Sequence, residues 1–386
     1  MKKYTSLVLL FLSANIYAQP LRDINFAYLY NPDEAFAFQL KAIRDEQSFT
    51  IQYSLQVRDT SANDYSIQWE GRNLLIDKNG MPLSLNVNER ARAKSGMEGQ
   101  AVLPVLDAPK YLVAKVVKQS TRRAWLFYKS LASTHPVNNY LTRNGELVLD
   151  PFIRTTESVV VAKDSAQWMV SYYSEDFPAA APAFSEGQAR VSRGMKTDSI
   201  FQVSGGEAIN FSDKGIYLIQ KDTNSLQGFA FRVEQDYPQY TRLSNLAGPL
   251  MYICTKQEYD RLELANGNKK AFDRVILNIA METERARKLM RSYFRRVELA
   301  NKYFTSYKEG WKTDRGMIYI IFGMPEEVYK FDDREVWNYD NDLLKGVFNF
   351  AKSSSLFDPD NYVLIRETKY KDEWYSVIDL WRNARF

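Results

Sequence analysis

One histidine and one cysteine in the whole chain exclude most hydrolytic and metal chemistry. His135 precedes Pro136 in a polar stretch, so Ser-His-Asp and Cys-His catalysis and multi-histidine zinc sites have no residues to use, and a solvated loop histidine is the reading left. Cys254 has no second thiol to pair with, and its apolar neighbours Leu250-Met251-Tyr252-Ile253 mark it as a structural thiol rather than a nucleophile. Long apolar runs are missing too: nothing after the N-terminus approaches the roughly 18 consecutive residues of a membrane-spanning helix. Asp358-Pro359-Asp360-Asn361 offers oxygen ligands but lacks the spacing and glycine of a calcium loop, and reads as a turn. No metal, no cofactor and no catalytic residue is therefore assigned.

Charge of one sign is absent as well. Without Lys2 and Lys3 the 51 basic residues become 49 against 47 acidic ones, which gives no pull toward nucleic acid. Those two lysines open a segment, residues 1–18, that continues through apolar Leu7 to Leu12 and ends in Ile16-Tyr17-Ala18. That order is the order of a secretory signal peptide, with cleavage expected after Ala18 and no cysteine there to carry lipid. The expected address is the periplasm, with association to the outer membrane as the further option.

What the chain does have is strand grammar. Phe49, Ile51, Tyr53, Leu55 and Val57 alternate with polar residues, the period of a strand with one buried face. Similar segments at Tyr65–Trp69, 111–117 and 124–128 make residues 19–135 an immunoglobulin-like β-sandwich domain. Residues 136–254 repeat the pattern as a second sandwich-like domain, with a hairpin at 215–220 and 228–233 and a proline-bearing strap, 176–184, expected to lie extended across a sheet. Residues 255–305 read as a helical connector. Thr255-Lys256-Gln257-Glu258 has capping-box spacing, and after Asn266-Gly267-Asn268 one long helix is expected, its stripe running from Phe272 to Phe304. Off the stripe, Arg287, Arg291 and Arg295 line a basic face, either paired with Glu282, Glu284 and Glu298 or open to an acidic partner.

Residues 306–386 form an aromatic-rich module holding four of the seven tryptophans. It opens on GWKTDRGMIYIIFGMP at 310–325. Thr313 and Asp314 can accept backbone amides, Arg315 can pair with a carboxylate, and Gly316 permits a tight path. Met317 to Phe322 fits a buried strand or a short capped helix, and Pro325 with Glu326-Glu327 fits the start of another helical turn. Strands are expected at Glu335–Tyr339, Val347–Phe350 and Tyr362–Ile365. The fold class is α+β, mostly β.

The string resembles the signature of the GWxTD-domain proteins, exported proteins found chiefly in Bacteroidota. Gly310, Trp311, Thr313 and Asp314 carry the resemblance, joined by Arg315, Gly316, Gly323, Pro325, Glu335, Trp337 and Tyr339, and by a Tyr252-Ile253 strand upstream. The chain departs from the family where Ala271-Phe272-Asp273-Arg274 replaces a Phe-Trp pair and a turn at the start of the long helix. The family carries no established reaction, so the resemblance implies a domain and an envelope setting. The expected role is non-catalytic, an interaction or assembly component with protein partners at the cell envelope. The alternatives are a hydrolase using Asp314 and Glu335 on a glycan, or a module that binds glycan or peptidoglycan without turnover.

Overall fold

The computed structural model describes residues 19–385 apart from 60, 163, 187–194 and 342–343. Residues 1–18, where a signal peptide is expected, lie outside the described residues.

Alternation along Ser48–Val57 does what its period implies. Phe49, Ile51, Tyr53, Leu55 and Val57 all face one core, against Trp69, Leu112, Val116 and Trp125 of the opposite layer. The first layer orders its antiparallel strands as Phe36–Arg44, Ser48–Val57, Gly96–Pro104 and Val87–Ala93; the second as Met81–Pro82, Tyr65–Arg72, Tyr111–Lys118 and Ala124–Ser130. A second sandwich follows, with a four-stranded layer and a five-stranded one around Trp168, Ile219 and Phe231. In the five-stranded layer the hairpin Gly215–Gln220 and Phe229–Glu234 sits beside Gln167–Tyr173. The two sandwiches meet where Ile43 packs with Tyr140, Leu147 and Leu149, and where Lys41 Nζ donates to Val148 O.

Five α-helices follow: α1 Lys256–Ala265, α2 Lys269–Ala280, α3 Thr283–Phe304, α4 Asp314–Phe322 and α5 Lys371–Arg382. They pack with one antiparallel sheet, Glu327–Lys330, Arg334–Asn341, Leu344–Lys352 and Tyr362–Leu364, in a single hydrophobic core. The helices at 255–305 thus share their core with the aromatic module. So do residues 21–30: Leu21, Phe26 and Tyr30 are buried in it, Phe26 N donates to Val328 O, and the Asn25 amide bonds Val328 N and Glu326 O. These bonds occupy the outer edge of the Glu327–Lys330 strand, which would otherwise present unpaired backbone.

Several sequence expectations need correction. The single long helix is two, because Met281 adopts φ 63° and turns the chain between α2 and α3. α2 pairs with α1 while α3 runs onto α4, and that change of direction needs a left-handed residue that no glycine announces. Pro325 does not open a helix: Glu326 N donates to Asn338 O, which draws the segment into the sheet as Glu327–Lys330. Tyr252 ends a 3-10 turn, Gly248–Tyr252, instead of starting a strand, with Pro249 preset at its head. Of the two readings left open for Met317–Phe322, the capped helix is the one formed, since Thr313 Oγ1 accepts from Gly316 N and caps α4.

The capping box at Thr255 forms as expected, and Glu258 also receives both terminal nitrogens of Arg382, at 2.7 and 2.8 Å, tying α1 to α5. The Arg382 hydrogen bonds, helped by the Thr255 amide, outweigh burial and hold Glu258 at about 2, below its ordinary 4.5. A depressed carboxylate contributes stability that is complete above pH 4.5 and lost as pH falls toward 2. Glu258→Gln is therefore expected to lower the melting temperature at neutral pH, with the difference from wild type shrinking between pH 4.5 and 2; thermal melts across that window check it.

Candidate functional site

The signature is built against the end of α3. Gly310 lies so close that a Cβ there would sit 2.1 Å from Ala300 O. This approach lets Asn301 Oδ1 accept from Trp311 N at 3.0 Å, while the Trp311 indole donates to Tyr240 and its carbonyl accepts from Tyr252. Trp311 is buried. Gly310 N is met by Tyr237 OH at 3.0 Å.

Asp314, the first residue of α4, faces the sheet. Its Oδ2 accepts from Leu364 N at 2.9 Å and its Oδ1 takes Arg366 Nη2 at 2.5 Å, both side chains being nearly buried. Arg366 also donates to Ala181 O in the strap. The strap is extended, as its prolines imply: Phe177 packs with Ile216 and Leu218 of the five-stranded sheet, and the residues after it cross the signature. Ala180 N donates to Lys312 O, Glu367 N to Ala183 O, and Phe177 packs edge-on to Tyr307.

Arg315 points the other way. Its guanidinium stacks 4.5 Å over Tyr362, donates to Asp360 O and stands 3.6 Å from Glu335 Oε2. Glu335 is wholly buried, its Oε1 accepting from Tyr30 OH at 2.7 Å and Trp337 Nε1 at 2.6 Å. Trp337 in turn packs on Tyr30, Phe304 and Phe350. Gly323, at φ 89°, ends α4; its carbonyl accepts from Tyr339 OH, and buried Pro325 follows. The signature therefore gathers Trp311, Thr313, Asp314 and Arg315 at one joint but sends Asp314 and Glu335 to separate partners.

A buried charge cluster lies beneath. Arg232 of the hairpin bonds Glu234 and the carbonyl of Tyr307, and Glu309 receives Lys312 at 2.9 Å and Lys214 at 3.3 Å. Burial pushes Glu309 up, but Arg232, Lys312 and Lys214 outweigh it and hold the carboxyl at about 2. Burial likewise raises the Cys254 thiol to about 12, so it is no nucleophile at neutral pH.

The basic face of α3 is solvent-exposed. Arg287 pairs with Glu284 and Arg295 with Glu298, while Arg291 is exposed between them. Sequence reasoning missed Tyr30, Tyr237, Arg232 and Arg366. Tyr30 and Arg366 lie 305 and 52 residues from the carboxylates they meet, so no local pattern exposes them.

Beside the signature, Thr313, Asp314 and Arg366 border a cleft of about 460 Å³ closed by the strap on one side and the Tyr362–Leu364 strand on the other. Among the described residues no group of histidine, cysteine and carboxylate side chains is placed to hold a metal, and no helix is long and apolar enough to cross a membrane.

The architecture is that of an α+β protein in which two β-sandwiches lead into a helix-and-sheet module entered through a glycine-tryptophan turn. The family model of the GWxTD domain matches residues 215–383, so the chain carries a GWxTD domain. The match starts at the hairpin that holds Arg232, the strand pair the buried charges join to the signature. No curated protein matches the chain.

Proposed function

We propose that this chain is an exported, non-catalytic component of the bacterial cell envelope that docks protein partners, with the cleft between strap and signature as the docking surface. The observation that carries the reading is the commitment of both signature carboxylates. Asp314 is held by Leu364 N and Arg366, and Glu335 by Tyr30 and Trp337 with no exposed surface, so neither is free for acid-base work on a glycan. The charged, apolar and small-residue order of residues 1–18 supports export to the periplasm, with Gln19 as the first residue of the mature chain.

A photo-crosslinker at Ile365, which is exposed and lines the cleft, tests the reading in intact cells. Mass spectrometry is expected to recover the same protein partner reproducibly from the envelope fraction. Recovering none, or finding turnover of envelope polysaccharide that Asp314→Asn abolishes in a folded protein, overturns it.

A further inference from the structure

A different cleft, of about 320 Å³, opens where the first sandwich meets the module. That is the lower end of the ~300–1,000 Å³ usual for small-molecule sites. Its walls bring together Lys110 and Lys129 from the sandwich with Arg315, Lys330 and Lys352 from the module. Five cations from two domains converge on one concavity.

Their charge is incompletely answered. Lys129 and Lys352 share the one carboxylate of Asp360. Lys110 reaches Asp332 only at 3.4 Å, with both side chains well exposed. Arg315 and Lys330 face the same oxygen, Glu335 Oε2, at 3.6 and 3.9 Å, beyond hydrogen-bond length, and that buried oxygen accepts no hydrogen bond among the described residues. The remaining acid nearby is Asp358, whose carboxyl burial pushes up to about 6. Burial holds the Lys330 ammonium below its usual range, with Arg315 and Lys129 adding to the effect against Glu335 and Asp360. An entering anion would relieve that repulsion in a partly dry site, where charge-assisted hydrogen bonds are strong.

The rest of the lining has the makings of a sugar site. Tyr111 and Tyr362 are nearly buried and Tyr128 half-buried, and each ring seats one of the cations: Lys110 lies 5.0 Å over Tyr111, Lys330 5.5 Å over Tyr128 and Arg315 4.5 Å over Tyr362. Ser130, Ser133 and Thr134 add hydroxyls at the margin. We propose that this interdomain cleft binds a phosphorylated saccharide, its phosphate held among Lys110, Lys330 and Arg315 and its hydroxyls turned toward Ser130, Ser133 and Thr134. Such a ligand would bridge the first sandwich and the module, because each supplies part of the phosphate site.

Isothermal titration of the purified mature chain tests this with glucose 6-phosphate, inorganic phosphate and glucose as probes. Glucose 6-phosphate is expected to bind, inorganic phosphate more weakly and glucose not measurably. Lys330→Gln is expected to weaken binding by about tenfold, the worth of one charge-assisted hydrogen bond. Lys110→Gln, at a half-exposed position whose ion pair with Asp332 is long, is expected to weaken it by about threefold, as for a half-solvated charge. Lys110→Gln also keeps the proposal testable if Lys330→Gln fails to fold. No binding by wild type, equal binding by folded variants, or phosphate binding as tightly as the sugar phosphate overturns the proposal. Because the titration needs no protein partner, its outcome is independent of the crosslinking result.

Discussion

Replacing Arg232 with methionine is expected to destabilise the protein by about 3–5 kcal/mol, the range for removing one partner from a buried ion pair. Arg232 is 2% exposed and gives Nε and Nη2 to Glu234 Oε1, at 3.1 and 2.5 Å, and Nη1 to Tyr307 O at 2.6 Å. Its Nη2 also lies 3.8 Å from Glu309 Oε2. Methionine fills comparable volume, so the loss is chiefly electrostatic: Glu234 and Glu309 stay buried with Lys214 and Lys312 as their remaining countercharges. A carboxylate left short of partners in a dry site is penalised far more than the intact pair stabilises it. Arg232→Met combined with Glu234→Leu should recover much of the loss, because a well-packed apolar pair replaces both charges. Urea unfolding followed by tryptophan fluorescence, with hydrogen exchange at the Gly215–Gln220 and Phe229–Glu234 hairpin, reads both variants. A single variant within about 0.5 kcal/mol of wild type, the ordinary range for surface substitutions, would show that the charges are not the tie between hairpin and signature.

That tie was invisible in the sequence for a physical reason. Periodicity reports which face of an element is buried, and it placed the Phe49–Val57 strand, the Thr255 capping box and the Trp337 and Phe348 strands where the structure has them. It does not report what lies opposite. Asp314 read as an acceptor of backbone amides, but its partners Leu364 N and Arg366 could not be named, and the alternative that paired it with Glu335 had no sight of Tyr30, far along the chain. The break at Met281 escaped for a related reason: its left-handed backbone is imposed by the packing of α2 on α1 and α3 on α4, which overrides local preference. The Arg232 cluster combines both difficulties, since an arginine and a glutamate two apart on a strand read as one exposed face. Only the turn of the module pressed against them makes that face interior.

The signature's own residues yield the sharpest test of whether it is folding machinery. Gly316→Ala and Gly310→Ala are each expected to destabilise the module beyond the ~1–3 kcal/mol usual for overpacking. A Cβ at Gly316 would stand 1.8 Å from Gly310 O, and one at Gly310 would stand 2.1 Å from Ala300 O and 2.5 Å from Asn301 Cα. Every one of these obstacles is backbone, so no rotamer change relieves the clash. Relief requires lifting the 310–312 turn off α3. That movement would break the Asn301 Oδ1 bond to Trp311 N and draw Gly316 N from the Thr313 cap that starts α4. Gly346→Ala serves as the control, because its nearest neighbour would be a Phe348 ring carbon at an ordinary 3.6 Å. Thermal melts should separate the variants cleanly, with Trp311 emission shifting to the red in the two signature variants as its pocket opens. Gly316→Ala melting with the control would mean that the turn does not pack as tightly as the geometry requires.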